Sequence, residues 1–245
     1  MPVDFEANLR GYLDGNVTSN GRMADERYAS FDYCFNYFQS FRDAKAVSHL
    51  ASTDNVQVSC MQLGFYLASW GMYRGSGELL QKSARYLVPV VEVIAGTEKL
   101  VWDDNKDGNK TTWDVDLDCY TESNILGLLL VAEKIRDARP GMSDILVTKI
   151  MLGVFGNVPA FDDNFRYGCK VAGICATFGQ ESLNQLGALY RQHVDLVERY
   201  RVPTLDFVTG QHTARCYSRA KVIDMAFFME GFNRPKAVRR QASQP

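Results

Sequence analysis

The stretch RPGMSDILVTKIMLGVFGNVPAFDDNFRYG, running from Arg139 to Gly168, holds two helix starts and a rigid connection between them. Pro140-Gly141 closes whatever helix comes before. Ser143 then stands where a capping hydroxyl is wanted, ahead of an apolar run through Ile150, Met151 and Val154 that Gly156-Asn157 stops. After Val158-Pro159-Ala160, the string Phe161-Asp162-Asp163-Asn164-Phe165-Arg166 puts a carboxylate at the start of a further helix, with Asp162 or Asp163 as its cap.

The same pattern extends outward on both sides. Thr121-Glu122-Ser123-Asn124 caps the run Ile125 to Ile135, and helical periods return at Gln180 to Arg199 and Val222 to Phe232. Toward the N-terminus, Met23 to Phe41 carries Phe31, Cys34, Phe35, Phe38 and Phe41 at spacings of three and four. Val56 to Met72 predicts a helix with Met61, Phe65, Ala68 and Met72 along its apolar stripe, broken at Gly71 and at Gly75-Ser76-Gly77. Leu79 to Ile94 is helical with a break or a start at Pro89. Leu100 to Cys119 reads as a loop, and period-two alternation is nowhere sustained, so the chain is expected to be all-α.

The 245 residues, 46% hydrophobic and 23% charged, describe a folded globular protein of one compact unit or two lobes. The net charge of −2 gives no global pull toward nucleic acid or anionic membrane, but charge is patterned. Seven basic residues oppose two acidic ones from Gln211 to the end, where phosphate contacts are possible, and seven acidic oppose two basic between Asp103 and Glu122. No stretch is apolar enough to cross a bilayer, and the N-terminal residues carry no leader pattern, so a cytoplasmic location is expected. Cys34, Cys60, Cys119, Cys169, Cys175 and Cys216 form no C-x-x-C pair and read as small buried hydrophobes.

Several chemistries are excluded or left weak. Gly75-Ser76-Gly77 has Leu80 where a dinucleotide loop needs its third glycine, and His49, His193 and His212 lie in no zinc-binding spacing. Asp103 to Asp114 sets oxygen donors at positions 1, 3, 5, 9 and 12 of a calcium loop with glycine at 6, yet Lys110 and Asp114 depart from that pattern. The preferred reading is an acidic surface turn, rich in Asn, Asp and Gly for backbone reasons.

Arg139 to Gly168 resembles the active-site signature of helix-hairpin-helix DNA glycosylases, in which a hairpin and helix lead through a proline to an aspartate in the pattern Val-Asp-Thr-Asn-Val-x-Arg. The matching residues here are Phe161-Asp162-Asp163-Asn164-Phe165-Arg166-Tyr167. Leu63 to Met72 is similar to the helix and loop that in those enzymes border the base pocket. The aromatic run Tyr28 to Phe41 and the string Ser69 to Ser76 place the likeness nearest a divergent bacterial branch, related to phage-defence glycosylases that act on hypermodified bases. The likeness covers about half of the chain. It departs from the family in the reduced hairpin Pro140-Gly141-Met142-Ser143, in a shorter helix-to-aspartate distance, and in having no C-terminal cluster of four cysteines.

The resemblance implies a single two-lobed helical domain over residues 1–245, with a cleft between lobes near 65–76 and 140–168. It implies a DNA glycosylase that cleaves the N-glycosidic bond of a modified base, such as glucosylated hydroxymethylcytosine, to leave an abasic site in anti-phage defence. Asp162 is then the catalytic residue, with Asp163 free to cap the helix. Ser69, Trp70, Tyr73 and Arg74 are the substrate-binding candidates, and Asn164 and Arg166 hold DNA. Lys149, 13 residues before Asp162, is too close for the family's nucleophilic lysine and reads as a surface or phosphate-facing DNA contact, which makes the enzyme monofunctional. Double-stranded DNA, including modified phage DNA, is the expected partner, with no cofactor, metal cluster or membrane. Two other readings stand beside it: a noncatalytic helical nucleic-acid-binding or adaptor protein, and a calcium-responsive protein built on the Asp103 to Asp114 loop.

Overall fold

The computed structural model describes residues 3–16, 20–100, 102–104 and 108–234. Two of its helices decide the architecture because they are buried on every side. In α6 (Asp144–Phe155) every residue from Leu146 to Phe155 is buried, and in α10 (Arg219–Phe232) every residue from Ala220 to Met229. A helix that is apolar all round can only be satisfied inside a shell of other elements.

That shell consists of α1 (Phe5–Leu13), α2 (Ala29–Asp43), α3 (Val56–Ser69), α4 (Val88–Gly96), α5 (Glu122–Asp137), α7 (Asp163–Val171), α8 (Gln180–Gln192) and α9 (Val194–Arg199). Two antiparallel pairs complete it: β1 (Trp102–Asp104) with β2 (Gly108–Lys110), and β3 (Pro203–Leu205) with β4 (His212–Cys216). α10 packs against α7, α1 and α9, α6 lies against α2, α3 and α5, and α5 also contacts α4 and α8. The buried side chains form one contiguous hydrophobic cluster. The fold is mainly helical, as the sequence predicts.

The expected caps are in place. Thr121 accepts from the Asn124 amide at the start of α5, and the Ser143 hydroxyl accepts from the Leu146 amide at the start of α6. Glu78 holds the Ser143 amide at 2.9 Å and bonds its hydroxyl, which ties the loop after α3 to the hairpin between α5 and α6. Between α6 and α7 the chain crosses the interior as a buried link, 157–161, several of whose N–H groups are taken up by side chains, while the Asn157 Oδ1 is buried without a partner. Asn157 donates to Thr112, the Phe161 amide to the Thr148 hydroxyl (3.0 Å), and the Ala160 amide to the Asp224 carboxylate (3.0 Å).

Some elements differ from the sequence reading. The helix expected from Met23 begins at Ala29, after a series of turns. The stripe Met61, Phe65 and Ala68 on α3 faces solvent, with Met61 57% and Phe65 63% exposed, while Cys60, Leu63, Tyr66 and Leu67 are buried. α3 is apolar on two faces, so periodicity could not choose between them. The β3–β4 pair was missed because its strands are three and five residues long. Cys34, Cys60 and Cys169 are buried, but Cys216 is exposed on β4.

α7 and α10 cross at glycines. A Cβ on Gly231 would lie 2.2 Å from the Asn164 carbonyl oxygen, and one on Gly168 would lie 2.7 Å from Phe227. Gly231→Ala is therefore expected to force backbone apart and destabilise the protein by about 1–3 kcal/mol in urea unfolding. A midpoint equal to wild type would show that the two helices do not pack at this distance.

Candidate active site

The carboxylate singled out in the sequence is the cap of α7. Asp162 Oδ1 accepts from the amides of Asn164 (3.0 Å) and Phe165 (3.1 Å), two donors that a helix start leaves unsatisfied. Asp162, rather than Asp163, caps this helix, and Asp163 is exposed. The cap uses one carboxylate oxygen. The other, Oδ2, lies 3.2 Å from the ammonium of Lys149.

Lys149 corrects an expectation. It stands mid-way along buried α6, is 5% exposed, and cannot be a surface contact. Its Nζ donates to the Trp70 carbonyl at 2.8 Å, at the C-terminal end of α3, where the helix dipole favours a cation. An isolated ammonium in that position would be costly to bury, and Asp162 together with the Trp70 carbonyl answers it.

Trp70 anchors an aromatic wall. Tyr12, Tyr28 and Trp70 stack nearly parallel, with successive centroids 4.3 and 5.5 Å apart, and Phe228 meets all three edge-on. The Arg27 guanidinium sits 5.1 Å from the Tyr28 ring and 5.2 Å from the Trp70 ring. Between this wall and the start of α7 opens a cavity of about 260 Å³, lined by Trp70, Lys149, Asp162, Asn164, Phe228 and Phe232, with Arg27, Arg74 and Arg234.

The electrostatics are lopsided. Asp162 is the single carboxylate lining the cavity, against three arginines and a lysine. Elsewhere Arg22, Arg42, Arg136, Arg201, Arg215 and Arg219 each reach an acidic partner. Among the described residues Arg27, Arg74 and Arg234 have none, as Arg85, Arg139, Arg166 and Arg191 outside the cavity also have none, and the Nε of Arg234 is buried without a partner. Unneutralised guanidiniums beside an aromatic surface present forks of donors to an oxyanion.

The structure thus brings together Trp70, Arg74, Lys149, Asp162 and Asn164 from the sequence-derived set. Ser69, Tyr73 and Arg166 do not line the cavity. The Ser69 hydroxyl donates back to the Phe65 carbonyl, as serines in a last helical turn do. Tyr73 buries its hydroxyl near Gly64, on α3. Arg166 lies one turn along α7, with its Nε buried. Sequence reasoning missed Arg27, Phe228 and Phe232, which come from segments remote from the signature, and had Arg234 only as part of the basic C-terminal patch.

Two other features resolve differently. Of the C-terminal basic residues, Arg215 pairs with Asp43, Arg219 with Glu198 and Lys221 with Asp224, and of the described part of that patch Arg234 alone is left for the cavity; Lys236, Arg239 and Arg240 lie outside the described residues. In the calcium-like loop, Asn105 to Asp107 also lie outside them. Asp114, its last donor, is bound by Thr111 and by Arg42 at 3.1 Å. Among the described residues no group of three or more His, Cys, Asp or Glu side chains is disposed to hold a metal ion.

Because Asp162 is both cap and counter-ion, its substitutions should separate. Asp162→Asn keeps a capping oxygen of nearly equal quality and a dipole beside Lys149. Asp162→Ala loses the cap, about 1 kcal/mol, and leaves Lys149 without its carboxylate. Both variants leave Lys149 without its carboxylate and only Ala loses the cap as well, so urea unfolding should rank wild type above Asn and Asn above Ala; an Asn variant as stable as wild type would refute the counter-ion role, and equal Asn and Ala variants the cap.

Comparison of the chain with family models, with curated proteins and with solved structures returned no match.

Proposed function

We propose that this protein is a monofunctional DNA glycosylase that removes a modified base and leaves an abasic site. The observation that carries the reading is the Asp162–Lys149 pair at 3.2 Å in an aromatic-walled cavity edged by three unpaired arginines. Cleaving an N-glycosidic bond places positive charge on the sugar as the base departs with the bonding electrons. A fixed carboxylate beside C1′ stabilises that charge, and preorganised groups of this kind are commonly worth about 3–4 kcal/mol each. Asp162 is fixed by its two capping bonds, and its second oxygen is the one that faces Lys149.

The step balances with water as the other reactant. Its oxygen bonds to C1′ while the C1′–N bond breaks with both electrons going to the base, one water proton passes to Asp162, and Asp162 is regenerated as that proton is returned to the departed base. The Lys149 Nζ donates to the Trp70 carbonyl and faces the Asp162 carboxylate, and a nitrogen engaged in both contacts is not free to attack C1′. Its part is to position Asp162 and to offer a hydrogen bond at the floor of the cavity.

Reaching this cavity requires that the nucleotide leave the duplex, a cost of a few kcal/mol that stacking helps to offset. Trp70 and Phe228 provide the aromatic surface, and Arg27, Arg74 and Arg234 suit the flanking phosphates. The resemblance supplies the substrate class: a hypermodified base in phage DNA, such as glucosylated hydroxymethylcytosine, excised in the bacterial cytoplasm as a defence.

Asp162→Asn should abolish formation of alkali-labile sites while leaving duplex affinity within about twofold, since shape and cap are kept. Borohydride should trap no covalent adduct. Undiminished turnover in the variant removes Asp162 from its role, and a trapped adduct makes an amine the nucleophile. Replacing Arg27, Arg74 or Arg234 by Gln should each weaken duplex binding and lower its salt slope by about 1. Unchanged slopes in all three would mean that the rim does not meet phosphate.

A further inference from the structure

Beneath the cavity a second ion pair is buried. Lys221 and Asp224, three residues apart on α10, meet at 2.9 Å, and their residues are 1% and 6% exposed. Both sit in a helix that is otherwise apolar over its buried length, and such a pair rarely stabilises a fold better than packed hydrophobes would. Its position suggests what it does instead. Lys149, Asp162, Lys221 and Asp224 together line a narrow throat of about 10 Å³, closed by Tyr66, Trp70 and Phe228.

Two links connect the inner pair to the outer one. Asp224 Oδ1 accepts from the Ala160 amide at 3.0 Å, and Ala160 lies two residues before Asp162 in the buried link. The Ala160 carbonyl in turn accepts from the Asp162 amide at 2.8 Å. Asp224 thus grips the peptide that delivers Asp162. Lys221, besides holding Asp224, places its ammonium 5.4 Å from the Trp70 ring, 4.8 Å from Tyr12 and 4.7 Å from Phe31, beneath the cavity wall. Burial and the neighbouring Asp162 raise the Asp224 carboxyl above the usual range, and Lys221 pulls against them.

We propose that Asp224 is a positioning residue for Asp162: its carboxylate oxygen anchors the Ala160 amide and so fixes where the reactive carboxylate stands, while Lys221 answers its charge. This rests on the glycosylase reading for its consequence in turnover, but not for its consequence in the free protein.

Two double variants separate tethering from packing. Lys221→Met with Asp224→Asn removes both charges and keeps an oxygen to accept from Ala160. Lys221→Met with Asp224→Leu removes both charges and the acceptor. Both should fold, because each removes the two buried charges together and strands neither of them. The Asn double variant should excise at close to the wild-type single-turnover rate. The Leu double variant should lose about tenfold or more at unchanged DNA affinity, since small misplacements of a reacting group are costly.

In parallel, NMR titration of the Asp162 carboxyl carbon reads the same effect without substrate. Lys149 and Tyr66 face Asp162 in both variants and neither variant carries a charge at 221 or 224, so a difference between their midpoints reports the tether alone. Equal midpoints and equal rates would overturn the proposal and leave the pair structural. If wild type excises nothing, the glycosylase reading fails, while a difference in midpoints still sustains the tether.

Discussion

An ammonium ion inside an apolar helix has to be answered by charge, and the rest of this structure is arranged around that demand. α6 is buried on all sides, yet Lys149 stands in its middle. Asp162 answers it, and to do so the chain must cross the interior from Gly156 and begin a new helix at the right point. The buried link achieves this with borrowed side chains: Thr112, Thr148 and Asp224 take up its amides, and Asp162 ends it by capping α7 with one oxygen and pairing with the other. The close crossing of α7 and α10 at Gly168 and Gly231 then holds the start of α7 against the helix that supplies Asp224 and Phe228.

Charge is handled differently on the two sides of that pair. Inward, Lys221 and Asp224 satisfy one another and leave nothing for a ligand. Outward, two of the three arginines of the cavity rim find aromatic rings rather than carboxylates: Arg27 on Tyr28 and Trp70, Arg234 on Tyr167. A protein with a net charge of −2 thereby keeps a local positive opening over a single acid.

Much of this was legible in the sequence, and the parts that were not have physical causes. The caps Thr121 and Ser143, the stop at Gly156 and the carboxylate at Asp162 are local chemistry that a few neighbouring residues determine. The buried face of α3 was not legible, because Met61 and Phe65 are as apolar as Leu63 and Leu67 and only the partner helices choose between them. Lys149 was misplaced because a lysine in a helix is ordinarily solvated, and nothing local says that the helix is covered on all sides. One signal was available and unused: Lys221 and Asp224 interrupt the apolar run of α10 at helical spacing, where a surface helix would have placed many more charges. Arg27 and Arg234 reach the cavity from opposite ends of the chain, which only the tertiary fold reveals.

The account stands or falls on whether a base leaves DNA in this cavity. The most direct measurement is mass analysis of the small molecules released when the purified protein meets duplex carrying glucosylated hydroxymethylcytosine, beside unmodified duplex of the same sequence. The account predicts free modified base from the first and none from the second. Tight binding to both duplexes with no base released from either would contradict it and identify the cavity as a binding site alone.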